Sequence, residues 1–189
     1  HIWDNCYIIA VKNSINYLDS INIKPDFLGT NFIGAAETLN EEIIDKHKPL
    51  FIGLNYGKLE HLRKRTDFMV NLEMKNNYLK NVKDNINDIS FKNKNNKIYT
   101  GWGHIMMELA IPLCLELKPE NIITIGWDVK NPKKYWNKET FLNWHASDSI
   151  INDFSIHLHK FLKEHHNIKI YKFSKKSGVK IPLVDINKI

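Results

Sequence analysis

No apolar run in this sequence approaches the roughly 20 residues that span a bilayer, so no transmembrane helix is expected. The chain opens on His1, with no secretory signal pattern after it. Its two cysteines, Cys6 and Cys114, both stand in apolar stretches. That placement reads as buried thiols rather than a disulfide or a metal pair, and suits a reducing, cytoplasmic setting. Arginine is nearly absent: apart from Arg63 and Arg65, the 27 basic residues are lysine, for a formal net charge of +6. Specific nucleic-acid reading leans on arginine with interleaved aromatics, so no nucleic-acid partner is expected. A lysine-rich surface does attract nucleotides, anionic sugars and acidic lipid head groups. Peripheral membrane association is therefore left open, as is homo-oligomerisation.

Several catalytic signatures are missing as well. There is no Asp-x-Asp pair to hold a divalent ion and no Gly-x-x-x-x-Gly-Lys-Ser/Thr phosphate loop. There is no Gly-x-Ser-x-Gly, and neither cysteine lies in a catalytic context. His157, His159, His165 and His166 crowd one predicted helix and its end. His157 and His159 are two apart and so point to different faces, and no metal site is expected.

What is present is an alternation of strands and helices. With 189 residues, 43% hydrophobic and 25% charged, the chain suits one globular domain with a sizeable core, spanning 1–189. Tyr7 to Val11 reads as a short buried strand, and Ile15, Leu18 and Ile21 follow at helical spacing, with Asn13 or Ser14 as cap. Pro25-Asp26 turns the chain into a second strand, Phe27 to Asn31, which completes a β-α-β unit of parallel strands. Thr38 to Lys46 reads as a helix with a capping box between Thr38 and Glu41. Pro49 to Asn55 reads as a third strand and Phe68 to Leu72 as a further strand or a loop. Asn76 to Lys97 is the least core-like stretch, a solvated surface segment or a lid.

The chain is organised around Thr100 to Val129. A turn with Thr100, Gly101 and Gly103 opens a run with Ile105, Met106, Leu109, Leu113 and Leu117 at helical spacing, stopped by Pro119. Ile122 to Ile125 then reads as a buried strand ending at Gly126-Trp127-Asp128. Ligands in open parallel sheets bind outside the carboxyl ends of strands, and anions sit on helix N-termini. Thr100-Gly101 and Gly126 to Asp128 thus offer the two halves of a nucleotide site, while sheet core alone explains the same pattern. Asn13 and Asn31 each fall just past a predicted strand, where an amide serves a nucleotide or simply a cap or turn. Lys130 to Trp144 is an aromatic stretch holding Tyr135 and Trp136, a second candidate lid. His145 follows, at the start of a helix over Ser149 to His166, where it reads as a proton acceptor near neutral pH or as a capping residue. Ile168 to Phe173 reads as the last strand. The sum is an α/β chain with a mostly parallel sheet covered by helices on both faces.

In order and spacing these pieces resemble a Rossmann-like superfamily. It comprises the bacterial sialyltransferases of glycosyltransferase family 42, the motility-associated glycosyltransferases and the 6-hydroxymethylpterin diphosphokinase-like proteins. Val11-Lys12-Asn13-Ser14 and Ile23-Lys24-Pro25-Asp26 resemble its second β-α-β unit. Thr100-Gly101 resembles its Thr/Ser-Ser-Gly turn, Gly126-Trp127-Asp128 its strand-end Gly-x-Asp, Tyr135 a lid tyrosine and His145 the catalytic base. Ser177 to Pro182 also looks similar. The chain departs from the pattern in lacking the opening strand with its Gly-x-Gly-Pro-Ser loop, the arginine before the Thr/Ser turn and a second lid tyrosine. The resemblance implies metal-independent, inverting transfer of a sugar from a CMP-type nucleotide donor to a glycan, glycolipid or glycoprotein hydroxyl, with no cofactor. It places Asn13, Thr100 and Gly101 on the nucleotide's phosphate and ribose, and Gly126, Trp127 and Asp128 on ribose or base. Tyr135 and Lys130 would steady the leaving phosphate, with His145 as general base. The alternatives are a Mg²⁺-dependent diphosphokinase and a degenerate nucleotide-binding module.

Overall fold

A computed structural model describes residues 5–31, 39–54, 65–70, 87–89, 105–127, 158, 162–165, 167–175, 177 and 179–185. Over these the protein is α/β, with two small all-parallel sheets and a few short helices. The chain divides into two compact units, His1–Leu113 and Cys114–Ile189.

The first unit holds five strands in sequential order, each parallel to its neighbours. They are β1 (Ile9–Val11), β2 (Phe27–Asn31), β3 (Leu50–Leu54), β4 (Phe68–Val70) and β5 (Asn87–Ile89). Helix α1 (Ser14–Ser20) joins β1 to β2, and α2 (Glu41–His47) lies between β2 and β3. Side chains alternate across a strand, so each face is a set of register rows. Ala10, Leu28 and Phe51 form one row, buried with Ile15 of α1 and Ile44 of α2. The larger of these, Leu28, Phe51, Ile15 and Ile44, each contribute about 1.5–3 kcal/mol when fully removed from water. The next row, Val11, Gly29, Ile52 and Phe68, faces the other way, and there Gly29 lies against Leu109. Helices α1 and α2 thus pack on one face of this sheet, and the segment carrying Leu109 meets the other at Gly29.

Two aspartates fasten the amino ends of these strands in the same manner. Asp26 accepts the Ile8 N–H at 2.8 Å and returns its own N–H to the Ile8 carbonyl at 2.9 Å. Asp67 accepts the Phe51 N–H at 2.7 Å and returns its N–H to the Phe51 carbonyl at 2.8 Å. Each aspartate stands directly before a strand phenylalanine, Phe27 or Phe68, so one local solution opens both β2 and β4.

The segment carrying Leu109 is a π-helical turn, Met106–Ala110, that runs into α3 (Ile111–Leu117). Pro112 supplies the reason. Its ring lacks an N–H and crowds the carbonyl four residues back, so the turn before it widens. The Ile111 N–H accordingly reaches the Met106 carbonyl, five residues back.

In the second unit, β6 (Asn121–Thr124) pairs in parallel with β7 (Lys169–Lys172). Ile122, Thr124 and Ile170 are buried. The chain then returns beside β7, where Leu183 bridges Lys172. Among the described residues no helix is long and apolar enough to cross a membrane.

Several local expectations are corrected. The first strand starts at Ile9, and Tyr7 is exposed. Neither Asn13 nor Ser14 caps α1 through its side chain: Ser14 Oγ accepts the Val11 N–H instead, at 2.7 Å. Helix α2 is capped by Asn40, whose side chain accepts the Glu42 N–H, whereas Thr38 lies outside the described residues. A strand, β5, stands inside the stretch Asn76 to Lys97 that reads as surface or lid. Ile125 and Phe173 are exposed beyond the ends of β6 and β7. Cys6 is exposed rather than buried. Cys114 is half-buried, and desolvation pushes its thiol up to about 11, which leaves it protonated and unreactive at neutral pH.

Candidate functional site

The carboxyl ends of β1 and β2 bring together two of the sequence-predicted residues. Val11 and Gly29 are register partners, so Asn13 and Asn31 stand two residues beyond the same pair on adjacent strands. Asn13 is the N-cap residue of α1, and its side chain makes no cap bond. Its carbonyl accepts the Asn16 N–H, so the backbone does the turning and the amide is not consumed by it. Asn31 is the last residue of β2, paired with Leu54.

Directly before Asn13 stands a residue that the sequence reading passed over. Lys12 follows the last residue of β1, and its N–H extends the ladder to the Gly29 carbonyl at 2.8 Å. Its backbone is left-handed, with φ of 55°. The side chain is half-buried, and desolvation lowers the amine below the ordinary lysine range. The signal in the sequence was a single basic residue closing the apolar run Ile8 to Val11.

A second strand tip, in the other unit, carries Gly126 and Trp127. Gly126 follows β6 with φ of 72°, a conformation that suits glycine, and a Cβ there would meet nothing within 4 Å. Trp127 is buried, and its carbonyl accepts Ser177 Oγ at 2.7 Å. Ser177 Oγ also lies 3.4 Å from the Val179 N–H. Lys172 Nζ donates to the Ser177 and Val179 carbonyls at 3.0 and 2.8 Å. The loop after β7 is thus tied both to the turn after β6 and to β7 itself. Trp127 works here as a buried anchor, and Gly126 is the exposed element of this tip.

Thr100, Gly101, Asp128, Lys130, Tyr135 and His145 lie outside the described residues, as do the candidate lid stretch 130–144 and most of 76–97. Among the described residues no three His, Cys, Asp or Glu side chains gather in a group able to hold a metal ion. What the β1 tip presents chemically is the Lys12 ammonium beside the Asn13 amide at the carboxyl edge of a parallel sheet, a set suited to an anionic or polar ligand.

No protein family, curated protein or solved structure matches the chain.

Proposed function

We propose that the protein is a metal-independent, inverting glycosyltransferase of the sialyltransferase-like kind, a single Rossmann-like domain taking its sugar from a CMP-type donor. The observation that supports this reading most is the β1-α1-β2 unit. Val11 and Gly29 are register partners there, so Asn13, the position that the resemblance assigns to the nucleotide, and Asn31 both stand two residues beyond the same pair. In this reading the nucleotide lies across the strand tips, with Thr100 and Gly101 on its phosphate. The resemblance assigns its ribose or base to Gly126, Trp127 and Asp128, and since Trp127 is buried, the backbone of Trp127 rather than its ring would serve.

The chemistry is a single displacement. His145 takes the proton of the acceptor hydroxyl as its oxygen attacks the anomeric carbon from the face opposite the nucleotide. The bond to the phosphate oxygen breaks, CMP leaves, and the configuration inverts. Tyr135 and Lys130 donate hydrogen bonds to the departing phosphate, so no metal is needed to carry its charge.

The test is CMP release from a CMP-activated sialic acid in excess chelator, with water or added saccharide as acceptor. His145→Ala should lower turnover by about 10²–10⁴-fold, the usual contribution of a general base, with its urea midpoint unchanged. Equal turnover in the variant removes His145 from the mechanism. Absence of CMP release by the unaltered chain removes the glycosyltransferase reading.

A further inference from the structure

Four non-glycine residues among those described have left-handed backbones: Lys12, Asn22, Lys48 and Lys118. Three of them end helices, where that conformation satisfies carbonyls left open at the last turn. Asn22 and Ile23 return their N–H groups to Asp19 and Leu18 of α1. Lys48 donates to the Ile44 carbonyl of α2, and Lys118 to the Leu115 carbonyl of α3. Lys12 ends no helix. It stands between a strand and a helix, and the turn is imposed from two sides. Lys12 N–H is held by the Gly29 carbonyl, and the preceding Val11 N–H by Ser14 Oγ.

This residue therefore carries two costs at once. A left-handed conformation is strained for a side chain with a Cβ. Half-burial takes its ammonium partly out of water, and the carboxylates of Asp19, Glu41 and Asp45 pair with Lys46, His47 and Arg65 instead. Strain and desolvation that no ion pair given for the described residues offsets are concentrated where a ligand later supplies the missing interaction. The position agrees: Lys12 stands at the carboxyl end of β1, an edge of the described sheet order, next to an asparagine amide not used for capping. Helix α1 has only seven residues, so the ammonium and not the helix end is the binding group.

We infer that Lys12 is an anion-binding residue whose ammonium contacts a phosphoryl group of a ligand seated over the carboxyl end of β1. That the ligand is a nucleotide rests on the function proposed above; that it carries a phosphoryl group does not.

The test is calorimetric titration of the full chain with inorganic pyrophosphate, CMP and cytidine, for the unaltered protein and three variants. Lys12→Met keeps the aliphatic stem and removes the charge. It should weaken pyrophosphate and CMP roughly 10- to 100-fold, the worth of a charge-assisted hydrogen bond, and leave cytidine unchanged. Lys12→Arg should stay within a few-fold of the unaltered chain. Lys12→Gly relieves the left-handed strain, so it should fold at least as stably and yet lose the same affinity, which separates folding from binding. Binding of pyrophosphate and CMP by Lys12→Met as tightly as by the unaltered chain overturns the inference, and so does absence of binding of both by the unaltered chain. Lys12-dependent pyrophosphate binding without CMP binding removes the nucleotide reading and keeps Lys12. CMP binding that ignores Lys12 keeps the nucleotide reading and removes Lys12.

Discussion

At the scale of single residues, backbone conformation and close approach matter more here than residue type. Gly29 shows this. A Cβ at that position would lie 2.7 Å from Leu109 Cδ2, and Leu109 is completely buried, so it has no open side into which to swing. Gly29→Ala should therefore destabilise the protein by about 1–3 kcal/mol, as overpacking of a filled core does, read as a lower urea midpoint at unchanged slope. Leu109→Ala added to it should recover part of that loss, since the two changes share one space. An unchanged midpoint in Gly29→Ala would mean that the π-helical segment packs on β2 more loosely than the buried Leu109 indicates. Gly126 differs: nothing crowds it, and its requirement for glycine is its φ of 72° alone. Neither distinction was legible in the sequence, where Gly29 reads as a strand member and Gly126 as the strand-end glycine of a candidate nucleotide site. The left-handed φ of Lys12 was equally hidden, because it is set by the Gly29 carbonyl and the Ser14 hydroxyl rather than by anything lysine prefers.

At the scale of elements, helix α1 is tied to α2 through one carboxylate. Lys46 Nζ donates to Asp19 Oδ1 at 2.6 Å, and His47 Nε2 lies 2.7 Å from the same oxygen. These bonds, Lys46 first and His47 second, hold the Asp19 carboxyl below its ordinary range. A depressed carboxylate contributes stability that is present above its unfolded pKa, near 4, and is lost as pH falls through the lower folded value. Asp19→Asn should therefore be less stable than the unaltered chain at pH 5–6, and the gap should close progressively below about pH 4. Urea midpoints measured from pH 6 downward give the comparison, and a gap that stays constant would show that the carboxylate's charge is not what joins the helices. The elements themselves were largely legible, because apolar spacing and Pro25-Asp26 mark the β-α-β unit without tertiary information. The failures were at boundaries. Asn40 rather than Thr38 caps α2, since several residues before Glu41 have suitable side chains and only the path of the chain decides among them. Strand β5 was missed because Asn87-Asp88-Ile89 is mostly polar, and a strand at the end of the described order needs little apolar surface.

At the scale of the whole molecule, the question is whether the strand tips bind a nucleotide. The parallel sheet was legible because buried parallel strands read as short apolar runs. The ligand was not, since strand-tip asparagines serve caps, turns and phosphates alike, and only the resemblance favours CMP. Mass action converts that choice into a measurable quantity. A ligand that binds only the native state stabilises it by RT ln(1 + [L]/Kd), about 2.7 kcal/mol at a hundredfold excess over Kd. For a chain of this length each kcal/mol moves Tm by about 2–4 °C, so a saturating nucleotide should raise it by roughly 5–10 °C. CMP with chelator present should produce this shift and UDP and GDP should not, because the proposed site needs no metal and selects its base. A shift with ATP that appears only when Mg²⁺ is added would instead assign the diphosphokinase chemistry. Silence with every nucleotide would mean that the fold has kept the strand tips without the binding, the degenerate module. The unaltered chain and Lys12→Met belong in the same panel. A CMP shift present in the first and smaller in the second would join the whole-molecule reading to the one residue whose strain and desolvation point to it.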